Sequence, residues 1–243
     1  MLPDIIEQAI KYRDSVLPEI CGHTFYRPPI GPGSIVVDLG AHLGSFSQAM
    51  IGLYSSTHHA VEAVPQNCEA IPKLAGLHVH NYAITDHEGP IRLNIAERPT
   101  PWGSIQSLGQ TDYKDFVETT GIRLGTFLTQ NDIKAVDLLK IDIEGEEFSL
   151  FNTTDDETLK SISQITIEFH NFLNPEKTPA VERIIARLEH LGFAAFVMTK
   201  NFHGDVLFIN REKIPVSACE IIYFRSVVKS IRGIRRILRN ITR

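Results

Sequence analysis

The stretch that most constrains the fold of this chain is residues 36–44, with the sequence VVDLGAHLG. A short β-branched run ends in an acid, a glycine-containing turn follows, and residues 45–53 have the pattern of a helix. Glycine permits a sharp turn at Gly40 and a close approach of the helix to the strand or to a ligand at Gly44. This order of strand, glycine turn and helix is typical of the opening of a nucleotide-binding α/β domain.

Strands and helices are predicted to alternate along most of the chain. Apolar or β-branched runs predict strands at residues 34–39, 59–64, 77–84, 136–143, 164–169, 193–198 and 205–210. Helical patterns cover residues 45–53, 66–74, 146–151 and 178–191. This alternation predicts an α/β fold with a doubly wound, mostly parallel sheet, closed by an antiparallel hairpin of the last two strands.

The segment that follows the third strand departs from this pattern. We predict a turn at residues 86–89, an edge strand at 91–95, an irregular loop at 97–120, and a short helix within it at 111–119. Long irregular loops in compact domains often cover binding sites. Trp102 is therefore a candidate to stack on a sugar ring or cover a cofactor, with a plain hydrophobic anchor as the alternative. Ser104 is a candidate hydrogen-bond partner of the substrate.

The composition suits a single globular domain with a sizeable core, because 43% of the 243 residues are hydrophobic and 22% are charged. Residues 34–210 are predicted to form this domain. Residues 1–33 are predicted to form an N-terminal amphipathic helix and a Pro/Gly linker, and residues 211–243 a basic amphipathic tail.

Positive charge is concentrated in the C-terminal tail, and the rest of the chain is acidic. Seven bases and no acid lie between Arg225 and the last residue, although the formal net charge of the whole chain is −5. The remainder is therefore acidic, which argues against a nucleic-acid partner. A basic amphipathic helix fits peripheral contact with a membrane surface or an acidic partner. The alternatives are packing of its apolar stripe on the acidic body, or an oligomer interface.

The cysteines and the chain start indicate a cytoplasmic protein. Cys21, Cys68 and Cys219 are far apart and odd in number, which fits reduced thiols better than a disulfide framework or a zinc site. Acids occupy the N-terminal positions where a signal peptide carries bases. No apolar run approaches the roughly 20 residues of a membrane span.

Two acids decide between the cofactors that such a glycine turn can serve. Glu62 follows the turn by about 20 residues, where an acid accepts hydrogen bonds from a ribose of NAD or of S-adenosylmethionine. Asp38 favours S-adenosylmethionine, because a carboxylate at the turn suits an ammonium group and not a pyrophosphate. The turn also lacks the third glycine of the dinucleotide fingerprint. The alternative is that Asp38 caps the next helix and Glu62 is merely exposed.

Four stretches resemble the motifs of the FkbM-type methyltransferases in content and order. They are residues 37–44 (VDLGAHLG), 61–65 (VEAVP), 81–84 (NYAI) with Gly89, and 137–147 (DLLKIDIEGEE), the last being the most specific. The resemblance extends from residue 35 to residue 210. The family usually has Thr-Leu-Asp ahead of the last motif, where this chain has Thr126, Phe127 and Leu128.

The resemblance implies a seven-stranded sheet of the class I methyltransferase (Rossmann-like) type and S-adenosylmethionine as cofactor. Many members of that family O-methylate sugars or natural products. By the resemblance, the methionine end of the cofactor lies among Asp38, Gly40, Ala41 and Gly44. Glu62 holds the ribose hydroxyls, and the adenine is bordered by Ala63, Tyr82 and Ala83.

The candidate catalytic residues follow two neighbouring strands. Asp142 and Glu144 are two residues apart, as are Glu168 and His170, so each pair shares a face if its strand continues that far. Ligands of open α/β sheets lie beyond the strand C-termini, where these groups are expected to converge. We predict that Asp142 and His170 orient the acceptor or act as general base, since histidine titrates near 6.5. Glu144 and Glu168 are candidate substrate contacts.

Two alternatives compete at this position. Residues 144–147 have the acids expected at the start of the following helix, where they interact favourably with its N-terminus. A divalent metal such as Mg²⁺ held by Asp142, Glu168 and His170 is a second alternative, although no spacing in the sequence specifies one.

The sequence therefore predicts a methyltransferase that acts on a hydroxyl of a sugar, glycan or small natural-product-like metabolite. The alternatives are an NAD-dependent sugar-modifying enzyme, or a non-catalytic module that binds a nucleoside or a partner protein. The oligomeric state is left open.

Overall fold

A computed structural model describes residues 15–95, 115–172, 175–199 and 203–228 of the chain. The strands are β1 (Glu19–Ile20), β2 (His23–Thr24), β3 (Ile35–Leu39), β4 (Thr57–Glu62), β5 (Leu77–Asn81), β6 (Ala83–Ile84), β7 (Gly89–Ile95), β8 (Asp115–Ile122), β9 (Leu138–Ile141), β10 (Gln164–Ile167), β11 (Phe193–Val197) and β12 (Val206–Asn210). The α-helices are α1 (Ser45–Tyr54), α2 (Pro65–Ala70), α3 (Leu124–Gln130), α4 (Glu147–Thr153), α5 (Asp156–Lys160), α6 (Thr178–His190) and α7 (Ala218–Tyr223). Single 3₁₀ turns span His170–Phe172 and Pro175–Lys177, and a π-helical turn spans Phe224–Val228.

A seven-stranded sheet forms the centre of the fold, with the spatial order β11-β12-β10-β9-β3-β4-β5. The pairs among β10, β9, β3, β4 and β5 are parallel, and β12 runs antiparallel to both of its neighbours. The predicted doubly wound, mostly parallel seven-stranded sheet is therefore confirmed.

The two faces of the sheet are covered by different helices, as two adjacent histidines show. His58 of β4 contacts Ser47 of α1, whereas the ring of His59 lies edge-on to Phe127 of α3. Successive residues of a strand point to opposite faces, so α1 and α3 lie on opposite sides of the sheet.

The central strand β9 is buried on both faces. Leu138, Leu139 and Ile141 are fully buried, which contributes about 1.5–3 kcal/mol for each side chain relative to leaving it exposed. Lys140 lies between them and is itself only 4% exposed. An ammonium group in this position needs partners within the protein.

The predicted third strand and the predicted helix at 111–119 are corrected. The strand ends at Asn81, and Ala83–Ile84 joins β8 and β7 in a separate three-stranded sheet. Residues 115–122 are not helical but form β8, which pairs antiparallel with β7 along its whole length. β-Branched residues such as Val117 and Thr119 suit this half-buried pairing better than a helix.

A β-hairpin that the sequence pattern does not predict precedes the glycine turn. It consists of β1 and β2, and Thr24 of β2 binds Asp205 through its backbone N–H (3.1 Å) and its hydroxyl (2.7 Å). Gln164 and Tyr26 exchange two hydrogen bonds between side-chain amide and backbone. These bonds fix the segment before residue 33 against the central sheet. The predicted N-terminal helix falls mainly within residues 1–14, outside the described residues.

The start of the C-terminal tail packs on the body of the protein. Ser217 and Glu220 form a capping box at the start of α7, and the ring of Phe224 is fully buried against Tyr26 and Phe196. The guanidinium of Arg225 lies 3.1 Å from the Glu189 carboxylate. The remaining bases follow residue 228 and lie outside the described residues, so membrane contact through them stays a prediction. In the described part of the chain, no helix combines the length and the apolar character that crossing a membrane requires.

Candidate active site

The glycine turn brings the end of β3 against the end of β9. Gly40 has φ 74°, and a Cβ atom there would lie 1.7 Å from the carbonyl oxygen of Asp142. Gly44 also has φ 74°, and a Cβ there would lie 2.9 Å from Cγ2 of Ile71. Both positions therefore require glycine for conformation and for space. Ala41 is buried between them against Ile71.

Lys140 connects this turn to the following acids. Its Nζ donates to the carbonyl oxygen of Gly40 (2.8 Å) and lies 3.1 Å from Oδ1 of Asp38 and 3.8 Å from Oδ2 of Asp142. Burial alone would lower the pKa of Lys140, but the carboxylates of Asp38 and Asp142 outweigh it and hold that pKa above its ordinary value. The lysine therefore stays charged inside the sheet.

The predicted contact of Asp38 with the cofactor ammonium stays a prediction, and in the structure this residue has other partners. Asp38 has no exposed surface, and its Oδ2 accepts a hydrogen bond from the Ser47 hydroxyl (2.8 Å) while Oδ1 faces Lys140. Because Ser47 uses its proton on Asp38, the Nδ1 of His58, 3.2 Å from that hydroxyl, is the donor in their contact. Burial lowers the pKa of His58 to about 4, against an opposing effect of Asp38. Asp38 thus fixes α1 and Lys140 beneath the turn.

Glu62 lies at the end of β4 beside the same turn. Its two carboxylate oxygens accept hydrogen bonds from the backbone N–H groups of His42 (2.7 Å) and Val64 (2.9 Å). The residue is 6% exposed. A carboxylate has about four acceptor positions, so even with a longer third bond from the Asn67 amide (3.4 Å) it can still accept from a hydroxyl of a ligand.

The three residues expected beside the adenine differ in their surroundings. Ala63 is half-buried, and its carbonyl oxygen accepts from the side chain of Asn81 (3.2 Å). Tyr82 is half-buried with its ring edge-on to Phe127, at 6.5 Å between centroids. Ala83 is buried and pairs with Gly121 in the small sheet. Ala63 and Tyr82 therefore keep accessible surface near Glu62, whereas Ala83 does not.

Asp142, Glu144 and His170 converge beyond the ends of β9 and β10, as the sequence predicts. The Nε2 of His170 lies 3.2 Å from Oε2 of Glu144 and 3.7 Å from Oδ1 of Asp142. On the other side of the ring, Nδ1 lies 2.9 Å from Oε1 of Glu147, the fully buried first residue of α4. The ring is therefore enclosed by carboxylates.

These contacts change how the groups titrate. Burial alone would lower the pKa of His170, but Glu147, with Glu144 and Asp142, raises it to about 9. Burial raises the pKa of Glu144 to about 7, with His170 opposing the shift. Burial would also raise the pKa of Asp142, but Lys140 and the histidines hold it well below its ordinary value. These neighbours favour the charged form of His170, which suits orienting an acceptor, and its role as a general base stays a prediction.

His23 of the N-terminal hairpin joins this cluster, although the sequence pattern does not single it out. Ligand atoms of His23, Asp142 and Glu168 lie within 4.8 Å of one another, as do those of Asp142, Glu144 and His170. The metal set considered from the sequence, Asp142 with Glu168 and His170, is thus divided between two groups. Burial also raises the pKa of the Glu168 carboxyl.

Three site residues are missed by reasoning from the sequence. Lys140 and Glu147 lie inside the motif that carries the family resemblance, and a lysine within an apolar strand is a signal for a buried partner. His23 has no comparable signal, because its position depends on the folding of the hairpin. Trp102 and Ser104 lie outside the described residues, so their proposed contacts stay predictions.

The topology, the glycine turn and the acid at the end of the neighbouring strand fit the class I, S-adenosylmethionine-dependent methyltransferases. The methyltransferase FkbM domain matches residues 38–195 of the chain. The chain belongs to the FkbM methyltransferase family. This membership decides against the NAD-dependent enzyme and the non-catalytic module.

One curated relative is the 31-O-demethyl-FK506 methyltransferase FkbM of Streptomyces tacrolimicus. It is 25% identical over 220 residues, which cover 77% of this chain and 81% of the relative. Among solved structures, the chain is similar to the methyltransferase FkbM of Methylobacillus flagellatus KT, at 14% identity and a TM-score of 0.45. That match covers 73% of this chain but only 43% of the solved one. A second similar structure is TrmK of M. capricolum with S-adenosyl-homocysteine, at 10% identity and a TM-score of 0.39, covering 89% of this chain and 72% of that chain.

Proposed function

We propose that this methyltransferase O-methylates a hydroxyl of a sugar, glycan or small natural-product-like metabolite. The observation that carries the proposal is the group formed by Asp142, Glu144 and His170 directly beside the glycine turn. A neutral hydroxyl needs a proton acceptor and an orienting partner when it attacks a methyl group, and this group offers both. The relative from Streptomyces tacrolimicus is a 31-O-demethyl-FK506 methyltransferase, which favours O-directed chemistry here.

For the cofactor, we propose that Glu62 accepts hydrogen bonds from the ribose hydroxyls. The adenine then borders Ala63 and Tyr82, which keep accessible surface beside this strand end. The methionine end lies along the backbone of the turn at Gly40, Ala41 and Gly44. Because this backbone is fixed by glycine conformations and by Lys140, it is organised before the cofactor binds.

The transfer is an in-line displacement. The cofactor lies at the glycine turn and the acceptor lies beside Asp142, Glu144 and His170. An oxygen lone pair of the acceptor forms the new O–C bond, and the S–C bond breaks with its electrons staying on sulfur, which leaves neutral S-adenosylhomocysteine. The hydroxyl proton passes to a carboxylate oxygen of Asp142 or Glu144. His170, whose two ring nitrogens both face carboxylates, orients the acceptor through its N–H.

A screen of paired acceptors tests the O-directed chemistry. The purified full chain is incubated with S-adenosylmethionine and sugars or small polyols, each beside the analogue with an amine in place of one hydroxyl. Products are read by mass spectrometry, and the methylated atom is assigned by NMR. We expect methyl transfer to oxygen in hydroxylated acceptors. Methylation confined to the amino analogues, at nitrogen, would overturn the proposal.

A further inference from the structure

His23 makes an unusual contribution to the site, because it comes from the hairpin that precedes the residues matched by the family domain. It is 2% exposed, and among the described residues its Nδ1 has no hydrogen-bond partner. Its Nε2 lies 3.6 Å from Oδ2 of Asp142, too far for a good hydrogen bond. Nε2 is therefore the nitrogen that faces the carboxylates, and at this distance its lone pair can serve a ligand other than Asp142.

The hairpin holds this imidazole in place by bonds of its own. The next residue, Thr24, is bound to the buried carboxylate of Asp205 by both backbone and side chain. β2 also packs against β10, the strand that Glu168 follows. His23 is therefore positioned over the strand ends by contacts that do not involve Asp142, Glu144 or His170.

We propose that His23, Asp142 and Glu168 bind one divalent cation of the Mn²⁺ type. Their ligand atoms lie within 4.8 Å of one another, and the 3.6 Å between His23 and Asp142 is a spacing that two ligands of one ion adopt. One imidazole with two carboxylates is a mixed nitrogen and oxygen set, which suits a first-row cation that accepts both. Three protein ligands leave coordination positions open for other oxygens.

The charges around the cluster favour a cation. Lys140 lies 3.8 Å from Asp142, but its ammonium is paired more closely with Asp38 at 3.1 Å. His170 lies between Glu144 and Glu147. Carboxylates therefore outnumber the cationic side chains in a partly enclosed space. A divalent cation would offset this net negative charge.

The open positions of the ion define an acceptor class, and this step rests on the proposed O-methylation. An acceptor with two neighbouring oxygens, such as a vicinal diol or an α-hydroxy carbonyl compound, chelates the ion through both oxygens. One of them is then fixed beside Asp142 and near the glycine turn that receives the cofactor. A cation also makes a bound hydroxyl easier to deprotonate, which supports attack on the methyl group.

Binding of Mn²⁺ alone to the full chain tests the site without any acceptor. Electron paramagnetic resonance measures the free ion, and we expect one bound equivalent per chain. H23Q and E168Q should each weaken Mn²⁺ binding by at least tenfold, whereas the exposed controls H190Q and E182Q should not. Circular dichroism checks that each variant folds, and E168Q keeps the test valid if H23Q does not. No binding by the wild type, or unchanged binding by folded H23Q and E168Q, would overturn the site.

Methylation with and without EDTA separates this proposal from the proposed function. Loss of methylation with EDTA and its recovery with Mn²⁺ would support the role of the ion in acceptor binding. Methylation of a vicinal diol that survives EDTA would overturn that role. Intact Mn²⁺ binding without methylation of any hydroxylated acceptor would count against the O-methylation instead.

Discussion

Lys140 and Asp38 form an ion pair in the interior of the central sheet, with Nζ 3.1 Å from Oδ1 and side chains 5% and 0% exposed. The two residues are register partners on the parallel strands β9 and β3. The same ammonium reaches the carbonyl oxygen of Gly40 and approaches Asp142. One buried lysine therefore links the glycine turn to Asp142, the first residue after β9.

Removing this lysine should destabilise the fold strongly. K140M leaves the Asp38 carboxylate buried without its cation, and breaking a buried pair in this way costs about 3–5 kcal/mol. Urea denaturation measures the free energy of unfolding. The exposed K134M is the control, with an expected change within about 0.5 kcal/mol. The double variant D38N/K140M should recover part of the loss, and a K140M protein as stable as wild type would contradict the assignment.

Alanine at position 40 should damage both fold and cofactor binding. In G40A, the new Cβ would collide with the Asp142 carbonyl, and an alanine would have to hold φ 74°. The backbone at the ends of β3 and β9 must therefore shift. G33A is the matched control, because Gly33 has φ 90° and nothing within 4 Å of its added Cβ. G33A should lose only about 1–2 kcal/mol from the left-handed conformation. Equal losses in the two variants, measured in urea, would show that the close contact is unimportant.

Glu62 should control cofactor affinity. E62Q removes the negative charge that accepts hydrogen bonds from backbone N–H groups and, by our proposal, from the ribose hydroxyls. We expect at least tenfold weaker binding of S-adenosylmethionine, about 1.4 kcal/mol. Isothermal titration calorimetry gives the dissociation constant. E69Q, on the exposed side of α2, serves as the control and should bind normally. Unchanged affinity in E62Q would remove the ribose contact.

The acceptor carboxylates should affect turnover more than cofactor binding. D142N and E144Q should lower kcat by roughly 10²–10⁴-fold, the usual range for loss of a proton-accepting group. Affinity for S-adenosylmethionine should change little in E144Q. The exposed neighbour Glu146 provides E146Q as control. Wild-type kcat in both D142N and E144Q would exclude these carboxylates from the reaction.

Acid should destabilise the protein through two histidines of β4, His58, which is buried, and His59, which is half-buried. Burial lowers the pKa of His59 to about 4, with His80 and His78 adding to the shift, and burial lowers that of His58 to the same range. These residues bind protons more readily when unfolded, so the free energy of unfolding falls as pH decreases from about 6.5 toward 4. H59N should reduce this pH dependence, and exposed H190N should not. Equal slopes for wild type and H59N in urea titrations at each pH would contradict the explanation.

The central sheet was predictable because several of its strands, including β9, β10 and β12, are buried on both faces. Largely apolar runs such as residues 136–143 and 205–210 give a strong local signal, and the acids that follow strands mark the ligand edge. Glu62 and Asp142 are predicted as site residues from this pattern. β8 was missed because its pairing with β7 lies across a long loop, and its own pattern is too weak to distinguish a strand from a short helix.

The details of the site depended on contacts between distant residues. The sequence does not show that Lys140, about a hundred positions later, lies beside Asp38 in register. The pKa of His170 lies above the ordinary value of a histidine because Glu147 and Glu144 enclose its ring. His23 depends on a hairpin held by Asp205, far along the chain. Tertiary structure alone determines these neighbours.

Gly40 and the Asp142 carbonyl lie so close together that no side chain fits between them. If the cofactor and the acceptor bind as we propose, this backbone contact borders both of them. A substitution that shifts the backbone of the cofactor site is therefore expected to shift the acceptor site as well. New acceptor preferences are therefore expected to arise by substitution at the rim, including the N-terminal hairpin, while this backbone contact constrains the geometry of transfer.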